Sequence, residues 1–127
     1  MKLNRATFKQ ILDKYYELSP QSVQYVLAVD FDNTLCYTRF PACGEPTAVA
    51  KFIKSIQDLN VCIILTTCRE GQSLTTALDW CAEQGIRLDY VNENELSRIE
   101  IYQDCRKIFC NMLIDDTSYN FNIKDFK

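Results

Sequence analysis

The sequence contains no histidine among its 127 residues. This absence excludes a Ser-His-Asp or Cys-His mechanism and any histidine-ligated metal. Acid–base chemistry in this chain must therefore depend on carboxylates, lysine or tyrosine.

Several other features are missing. No apolar run approaches membrane-spanning length, and residues 1–5 lack the apolar core of a secretory signal. The net charge is −3 and the basic residues are scattered, which argues against a nucleic-acid groove. The length fits one domain spanning residues 1–127.

The seven cysteines include no Cys-x-x-Cys pair, so a zinc ribbon or a thioredoxin-type centre has little support. An odd number of cysteines without a signal predicts reduced thiols and a cytoplasmic protein. Cys36 and Cys43 flank the segment 36–47, and we expect packed or exposed thiols there rather than a disulfide.

Apolar spacing predicts an alternation of helices and strands. The first half is expected to contain a helix over Arg5–Leu18, a strand over Tyr25–Asp30, an irregular flap over 36–47 and a helix around 49–59. A strand over 61–65 follows, then a helix around 74–81 with Gly85 at its C′ position and a strand over 86–91. The last part is expected to be a polar segment over 92–104 and a strand over 110–114. Strands that alternate with helices indicate parallel βαβ units, hence an α/β, doubly wound, Rossmann-like parallel sheet.

Polar residues stand at the ends of three predicted strands. These are Asp30 and Asp32, then Thr66 and Thr67, then Asp115 and Asp116. In open α/β sheets, ligands bind at the carboxyl ends of the strands, near the point where the strand order reverses. We therefore expect these residues to form the functional site.

The first acidic pair, Asp30 and Asp32, occupies alternate positions, so the two side chains are expected to point the same way as the strand ends. Two neighbouring carboxylates repel each other, and a hard cation such as Mg²⁺ offsets that repulsion. The alternative is an Asx turn that caps a loop. A second acidic pair at another strand end favours the metal site over that alternative.

The run Asp-Phe-Asp-Asn-Thr-Leu at 30–35 resembles the first motif of the haloacid dehalogenase-like superfamily. The strand that ends in Thr67 is similar to the second motif, with Arg69 two residues later and Cys68 in place of the usual glycine. Lys107 resembles the lysine of the third motif, with Arg106 as the alternative. Asp115-Asp116 resembles the fourth motif in its adjacent-acid form. The resemblance spans residues 26–116 in the order of the family.

The resemblance implies a fold of the haloacid dehalogenase (HAD) type and phosphoryl transfer through an aspartyl-phosphate on Asp30. Asp32 would protonate the leaving oxygen and later activate water. Mg²⁺ would be held by Asp30, the backbone carbonyl of Asp32 and Asp115, with Asp116 acting through water.

The remaining motif positions are expected to contact the phosphoryl group. Lys107 and the Thr67 hydroxyl would bind its oxygens, and the backbone N–H groups of the Asn33-Thr34 turn would add donors. On its own, a threonine at a strand end is more often a cap or a local turn, and a lysine more often lies on the surface. Asn33 replaces the commoner glycine and tolerates left-handed geometry.

The interval between Thr34 and the next helix is too short for a cap domain, so the resemblance is to a small capless member. Tyr37, Arg39 and Phe40 of the flap are candidates for substrate contacts, and the alternative is that Tyr37 and Phe40 only pack the flap onto the domain. Arg69 either faces the substrate or starts the third helix, and we favour the helix.

The segment 1–20 is an N-terminal helical extension to the family core. Its apolar stripe is expected to pack on the sheet, and the alternative is a contact in a homodimer. We expect no membrane association.

The main functional hypothesis is a Mg²⁺-dependent phosphatase acting on a small or macromolecular phosphate monoester. A non-catalytic relative used for binding or regulation would need a lesion among the acids, and none is visible. A response-regulator receiver places its acid pair on the first strand, whereas here the adjacent pair follows the last strand. A phosphotransferase with the same first half-reaction stays open, because the pocket chooses the acceptor.

Overall fold

The computed structural model describes residues 2–19, 23–103, 107–118 and 121–126. The elements are α1 (Arg5–Leu18), β1 (Tyr25–Asp30), α2 (Ala48–Ile56), β2 (Val61–Thr66), α3 (Gly71–Glu83), β3 (Tyr90–Val91), α4 (Leu96–Tyr102), β4 (Met112–Ile114) and a 3₁₀ turn (Ile123–Asp125). None of the described helices has the length and apolar character needed to cross a membrane.

The four strands form one parallel sheet in the order β3-β2-β1-β4. From β1 the chain moves outward to β2 and β3, then returns to place β4 on the other side of β1. The strand order therefore reverses between β1 and β4, whose ends are in register through Val29 and Ile114. This arrangement confirms the predicted α/β, Rossmann-like architecture.

The core covers both faces of the sheet. On one face, Leu27 and Val29 of β1 belong to a large cluster that includes buried residues of α1, α2 and α3. On the other face, Val26 of β1 packs in a smaller cluster with Ile108 and Phe109. Each fully buried Leu, Val or Phe side chain contributes about 1.5–3 kcal/mol, which explains why the central strands are continuous apolar runs.

Helix α1 confirms the predicted helix and the predicted packing on the sheet. Asn4 caps its first turn, because its side chain accepts from the backbone N–H of Thr7 at 3.0 Å. The Phe8 ring contacts Tyr25 of β1 at 5.7 Å and Phe52 of α2 at 5.6 Å between centroids. Phe8 and Leu12 of the stripe are therefore buried within the chain, whereas Leu18 is 76% exposed. A homodimer contact by this helix stays a prediction. Pro20, expected just after the helix, lies outside the described residues.

The third predicted strand is shorter than expected. The sequence predicts a strand over 86–91, and the structure has one only at Tyr90–Val91. Just before that point the Asp89 N–H donates to the Ile63 carbonyl at 2.8 Å, but the Ile63 N–H donates to the Asp89 carboxylate at 2.7 Å. Arg87 donates to the backbone carbonyl of Val61 at 2.9 Å. An apolar run alone does not reveal that side chains take over part of the pairing.

Helix α4 is a helix that the sequence did not predict, within the polar segment 92–104. Its buried residue is an arginine, Arg98, whose guanidinium carbon lies 4.0 Å from the Phe109 ring centroid. Arg98 also donates to the Tyr15 hydroxyl at 2.8 Å and to the Gln24 carbonyl at 2.9 Å. Because the inward residue is charged, the segment lacks the apolar periodicity that identifies an amphipathic helix.

The other elements lie close to their predicted positions. Helix α2 ends at Ile56, before Leu59, and α3 ends with Gly85 in the left-handed conformation expected at C′, with φ of 77°. Strand β4 begins at Met112 rather than at residue 110, because the Asn111 side chain accepts from the Val26 N–H at 2.8 Å. Between β1 and α2 the described chain holds only the flap, with no inserted domain.

Candidate functional site

Three carboxylates meet at the carboxyl ends of β1 and β4, on both sides of the point where the strand order reverses. Asp30, Asp115 and Asp116 each offer an oxygen, and these oxygens all lie within 4.8 Å of one another. All three residues are half-buried. The parallel pairing of β1 with β4 brings together residues that are more than eighty positions apart.

Two hydroxyl groups orient these carboxylates. The Thr34 Oγ1 lies 3.0 Å from Oδ2 of Asp30 and 3.2 Å from Oδ1 of Asp116, and it accepts from the backbone N–H of Asp116 at 3.0 Å. Thr117 donates to Oδ1 of Asp115 from its hydroxyl at 2.9 Å and from its backbone N–H at 3.0 Å. Outer groups of this kind fix ligand carboxylates in metal sites.

The crowding of acids changes the charge state of Asp30. Burial, a hydrogen bond with Asp116 and the charges of Asp115 and Asp116 raise the pKa of Asp30 to about 7, although the bond from Thr34 opposes this. Near neutral pH such a site takes up a proton more readily than an isolated carboxylate does, because burial and neighbouring acids disfavour the charged form. An all-oxygen set of carboxylates fits Mg²⁺, which prefers such ligands.

Asp32 has different neighbours from Asp30. Its carboxylate pairs with Arg69, whose Nη2 lies 2.7 Å from Oδ1, and it accepts from the Thr38 hydroxyl at 2.7 Å. These two partners hold the pKa of Asp32 below its usual value, with Arg69 as the larger cause. The alternation of a strand does not carry the two carboxylates into one cluster, since β1 ends at Asp30.

Arg69 fits neither of its predicted positions. Helix α3 begins at Gly71 with Glu70 as its N-cap, so Arg69 does not start the helix. Its side chain is only 1% exposed and donates to Asp32 and to the backbone carbonyls of Pro41, Ala42 and Ser73. The structure places it inside the protein, under the flap, rather than facing a substrate.

The turn after β1 is occupied by its own hydrogen bonds. Asn33 has φ of 59°, which confirms the predicted left-handed geometry. Its backbone N–H donates to the Thr38 hydroxyl at 3.0 Å, and the N–H of Thr34 donates to the Phe31 carbonyl at 3.1 Å. The predicted phosphate donors are therefore engaged within the protein. Thr34 is completely buried and contacts the acids rather than the solvent.

The flap over 36–47 is more ordered than the irregular segment predicted. Tyr37 donates from its N–H to the Glu45 carbonyl at 2.9 Å, and Thr47 donates in the same way to the Leu35 carbonyl at 3.0 Å. Trp80 of α3 donates to the Gly44 carbonyl at 3.1 Å and so holds the flap onto the domain. These bonds make the flap a short hairpin.

The flap residues proposed to contact substrate lie on the outside of this hairpin. Tyr37 is 53% exposed, Phe40 is 64% exposed, and Arg39 is also exposed. The Phe40 ring centroid lies 5.0 Å from the Arg69 guanidinium carbon, so Phe40 has a packing role as well. Cys36 and Cys43 are free thiols, as predicted.

Thr67 and Lys107 occupy less defined positions. Thr67 follows β2, and its hydroxyl accepts from the backbone N–H of Arg69 at 3.1 Å, which is the local-turn role considered as its alternative. Lys107 is exposed, and its carbonyl accepts from Asn94 at 3.1 Å. A phosphoryl contact by either residue stays a prediction. Arg106, the alternative to Lys107, lies outside the described residues.

Sequence reasoning missed two positioning groups of this site, Thr38 and Thr117, and the partner of Asp32. Thr117 follows the acid pair directly, so a hydroxyl next to Asp115-Asp116 was an available signal. No spacing signal points to the pairing of Arg69 with Asp32, because the two residues are 37 positions apart and belong to different loops.

Comparison with known proteins gives one informative match. A solved structure described as a conserved protein from Bacteroides thetaiotaomicron has 30% sequence identity and a TM-score of 0.65, covering 75% of this chain and 78% of that chain. At this identity and coverage, the chain belongs to the same family as that conserved protein. No family model matches the chain, and no curated protein matches it.

Proposed function

We propose that this chain is a Mg²⁺-dependent phosphohydrolase of the haloacid dehalogenase-like type, which cleaves a phosphate monoester through a phosphoaspartate on Asp30. The observation that carries the proposal is the convergence of Asp30, Asp115 and Asp116 within 4.8 Å where the strand order reverses. That position is where open α/β sheets bind ligands. The motif order along the sequence gives independent support.

The residues present fit the proposed metal. Asp30, Asp115 and the backbone carbonyl of Asp32 would hold Mg²⁺, with Asp116 acting through water. Hydrogen bonds with Thr34 and Thr117 orient the carboxylates of Asp30, Asp115 and Asp116. When bound, the ion would offset the burial and the repulsion that together raise the pKa of Asp30, and it would let a carboxylate approach an anionic phosphate.

In the first half-reaction an oxygen of Asp30 attacks phosphorus, and the bond from phosphorus to the leaving oxygen breaks. Asp32 gives its proton to that oxygen, and the alcohol departs. Arg69 keeps Asp32 ionised in the free site. The negative charge of an arriving phosphate raises the pKa of a neighbouring carboxyl, so Asp32 takes up the required proton when substrate binds.

In the second half-reaction water attacks the phosphoaspartate. Asp32, now a carboxylate again, accepts a proton from this water while the bond between phosphorus and the Asp30 oxygen breaks. The products are inorganic phosphate and the original Asp30 carboxylate. The first half leaves Asp32 as the carboxylate that the second half needs, and the free site releases the proton that Asp32 accepts in the second half.

The test is release of phosphate from 4-nitrophenyl phosphate, with Mg²⁺ and with EDTA. We expect turnover by the wild type only with Mg²⁺, and none by Asp30→Asn. A matched control is Asp58→Asn, because Asp58 is an exposed carboxylate that pairs with Arg5 on the surface. It should retain full activity.

A second measurement detects the intermediate. Acid quenching of the wild type during turnover, followed by peptide mass analysis, should find phosphate on the peptide that carries Asp30. Turnover that persists in Asp30→Asn, or in EDTA, would contradict the proposal.

A further inference from the structure

Arg69 satisfies its guanidinium entirely within the protein. Its Nε and Nη2 bind the Asp32 carboxylate at 3.0 and 2.7 Å. Nη1 donates to the Pro41 carbonyl at 2.7 Å and the Ser73 carbonyl at 3.2 Å, and Nη2 also donates to the Ala42 carbonyl at 3.2 Å. An arginine has five N–H donors, and this geometry gives each of them an acceptor.

The same guanidinium lies between two aromatic rings. Its central carbon is 5.0 Å from the Phe31 ring centroid and 5.0 Å from the Phe40 ring centroid. Phe31 belongs to the core, whereas Phe40 belongs to the flap. One buried side chain therefore joins the core residue Phe31, helix α3, the flap and the Asp32 carboxylate.

The two oxygens of Asp32 have unequal surroundings. Oδ1 accepts from Arg69 Nη2 and from the Thr38 hydroxyl, both at 2.7 Å. Within the described part of the chain, Oδ2 shares only the Nε–H of Arg69, at 3.0 Å. The Asp32 side chain is 31% exposed. Oδ1 is thus anchored, and Oδ2 has further acceptor capacity on a partly exposed carboxylate.

We propose that Arg69 is a positioning residue that holds the flap and Asp32 as one unit, so that Oδ2 of Asp32 is the oxygen that exchanges the proton. This inference rests on the proposed phosphatase function. Oδ2 gives its proton to the leaving oxygen as the bond to phosphorus breaks, and it later accepts a proton from the attacking water. Thr38 has the same role from the flap side, through Oδ1.

The inference predicts a dependence on the leaving group. An alkyl alkoxide is a poor leaving group and needs a well-placed proton donor, whereas 2,4-dinitrophenolate departs without one. General acid catalysis contributes about 10²–10⁴-fold where it is needed. The kcat/KM value covers the steps up to and including departure of the alcohol, so it reports on the proton transfer to the leaving oxygen.

The experiment compares wild type with Arg69→Lys on an alkyl phosphate and on 2,4-dinitrophenyl phosphate, with Mg²⁺. Lysine keeps the charge but not the planar set of donors. We expect kcat/KM to fall about tenfold or more further for the alkyl ester than for the aryl ester. Equal losses on both esters would assign Arg69 a merely structural role and overturn the inference.

A second variant covers the case in which Arg69→Lys does not fold. Thr38→Val removes the hydroxyl at Oδ1 and leaves the contacts between Arg69 and the flap carbonyls. It should show the same selective loss, and Thr38→Ser should restore activity on the alkyl ester. The absence of selectivity in Thr38→Val would overturn the inference.

The proposed function and the positioning role fail in different ways. If the wild type hydrolyses neither ester, both are overturned. If the wild type hydrolyses both with Mg²⁺ and the variants lose both equally, the phosphatase proposal stands and the positioning role does not.

Discussion

The hydroxyl of Thr34 lies 3.0 Å from Oδ2 of Asp30, and Thr34 is completely buried. A hydroxyl has one proton to donate, and here it lies against a carboxylate that burial and other acids make difficult to ionise. This contact ties the turn after β1 to the charge state of the proposed nucleophile.

We predict that Thr34→Val impairs both stability and activity. Valine has nearly the same shape, but it leaves oxygens of the half-buried Asp30 and Asp116, and the Asp116 N–H, without this partner. The loss of such a group should reduce the free energy of unfolding by about 1–3 kcal/mol. Urea unfolding and phosphate release measure the two effects. Thr34→Ser, which keeps the hydroxyl, should lose much less of either, and equal losses in both variants would refute the role of the hydroxyl.

Asp30 should make the metal-free protein less stable as the pH rises. Its pKa is raised from 3.8 to about 7, so the folded protein binds more protons than the unfolded chain between these values. Its contribution to stability is therefore complete below about pH 4 and is lost as the pH rises through 7. An asparagine at position 30 cannot ionise, so Asp30→Asn lacks this pH-dependent contribution to the free energy of unfolding.

The corresponding experiment is urea unfolding of wild type and Asp30→Asn in EDTA, at pH 5 and pH 8. Asp30→Asn should gain about 1–2 kcal/mol relative to wild type between the two values, a figure kept small because Asp30 is only half-buried. The comparison at two pH values cancels the effects of carboxyl groups that do not interact with Asp30. A difference that does not change with pH would contradict the raised pKa.

Mg²⁺ should stabilise the folded protein, and more strongly at pH 8 than at pH 5. Protons and the cation compete for the same three carboxylates, so the apparent affinity should rise as Asp30 ionises. At a concentration one hundred times the dissociation constant, binding to the folded state contributes about 2.7 kcal/mol. Thermal unfolding with and without Mg²⁺ measures this shift.

Asp115→Asn is the informative variant in that experiment, because it removes one charge from the trio at unchanged size. The Mg²⁺-induced rise in melting temperature should largely disappear. Asp58→Asn, on the surface, should keep the full rise. A rise that survives in Asp115→Asn would place the ion elsewhere.

Gly44→Ala should disrupt the flap. A Cβ atom at this position would lie 1.7 Å from the Tyr37 carbonyl oxygen, which belongs to the flap backbone. The hairpin cannot keep its pairing with that overlap, so the flap should leave its position over Arg69. Faster tryptic cleavage after Arg39 and a lower kcat/KM are expected.

Gly85→Ala is the control for the flap variant. Gly85 has φ of 77°, so alanine strains the end of α3 without touching the flap. It should lower the melting temperature while leaving cleavage after Arg39 in the native protein unchanged. Equal acceleration in both variants would show that overall stability, and not the flap, controls the cleavage.

The sequence predicts much of the scaffold because local patterns carry the information. The continuous apolar run over 61–65 becomes β2, the strand next to β1, and the stripe containing Phe8 becomes helix α1. The segment with Arg98 fails this logic, since an inward arginine hides the helix that it belongs to. The strand expected from residue 86 is shorter than predicted, and side chains of Arg87 and Asp89 take over part of the backbone pairing there.

By itself the sequence determined the α/β alternation and placed acids at the ends of two strands, because side-chain periodicity and strand termini are properties of neighbouring residues. Only the tertiary structure decided that Asp116 joins Asp30 while Asp32 pairs with Arg69 instead. That choice depends on the strand order, which places β4 beside β1, and on the folding of the flap over Arg69. Such pairings are set by packing between distant segments, which no local pattern of residues records.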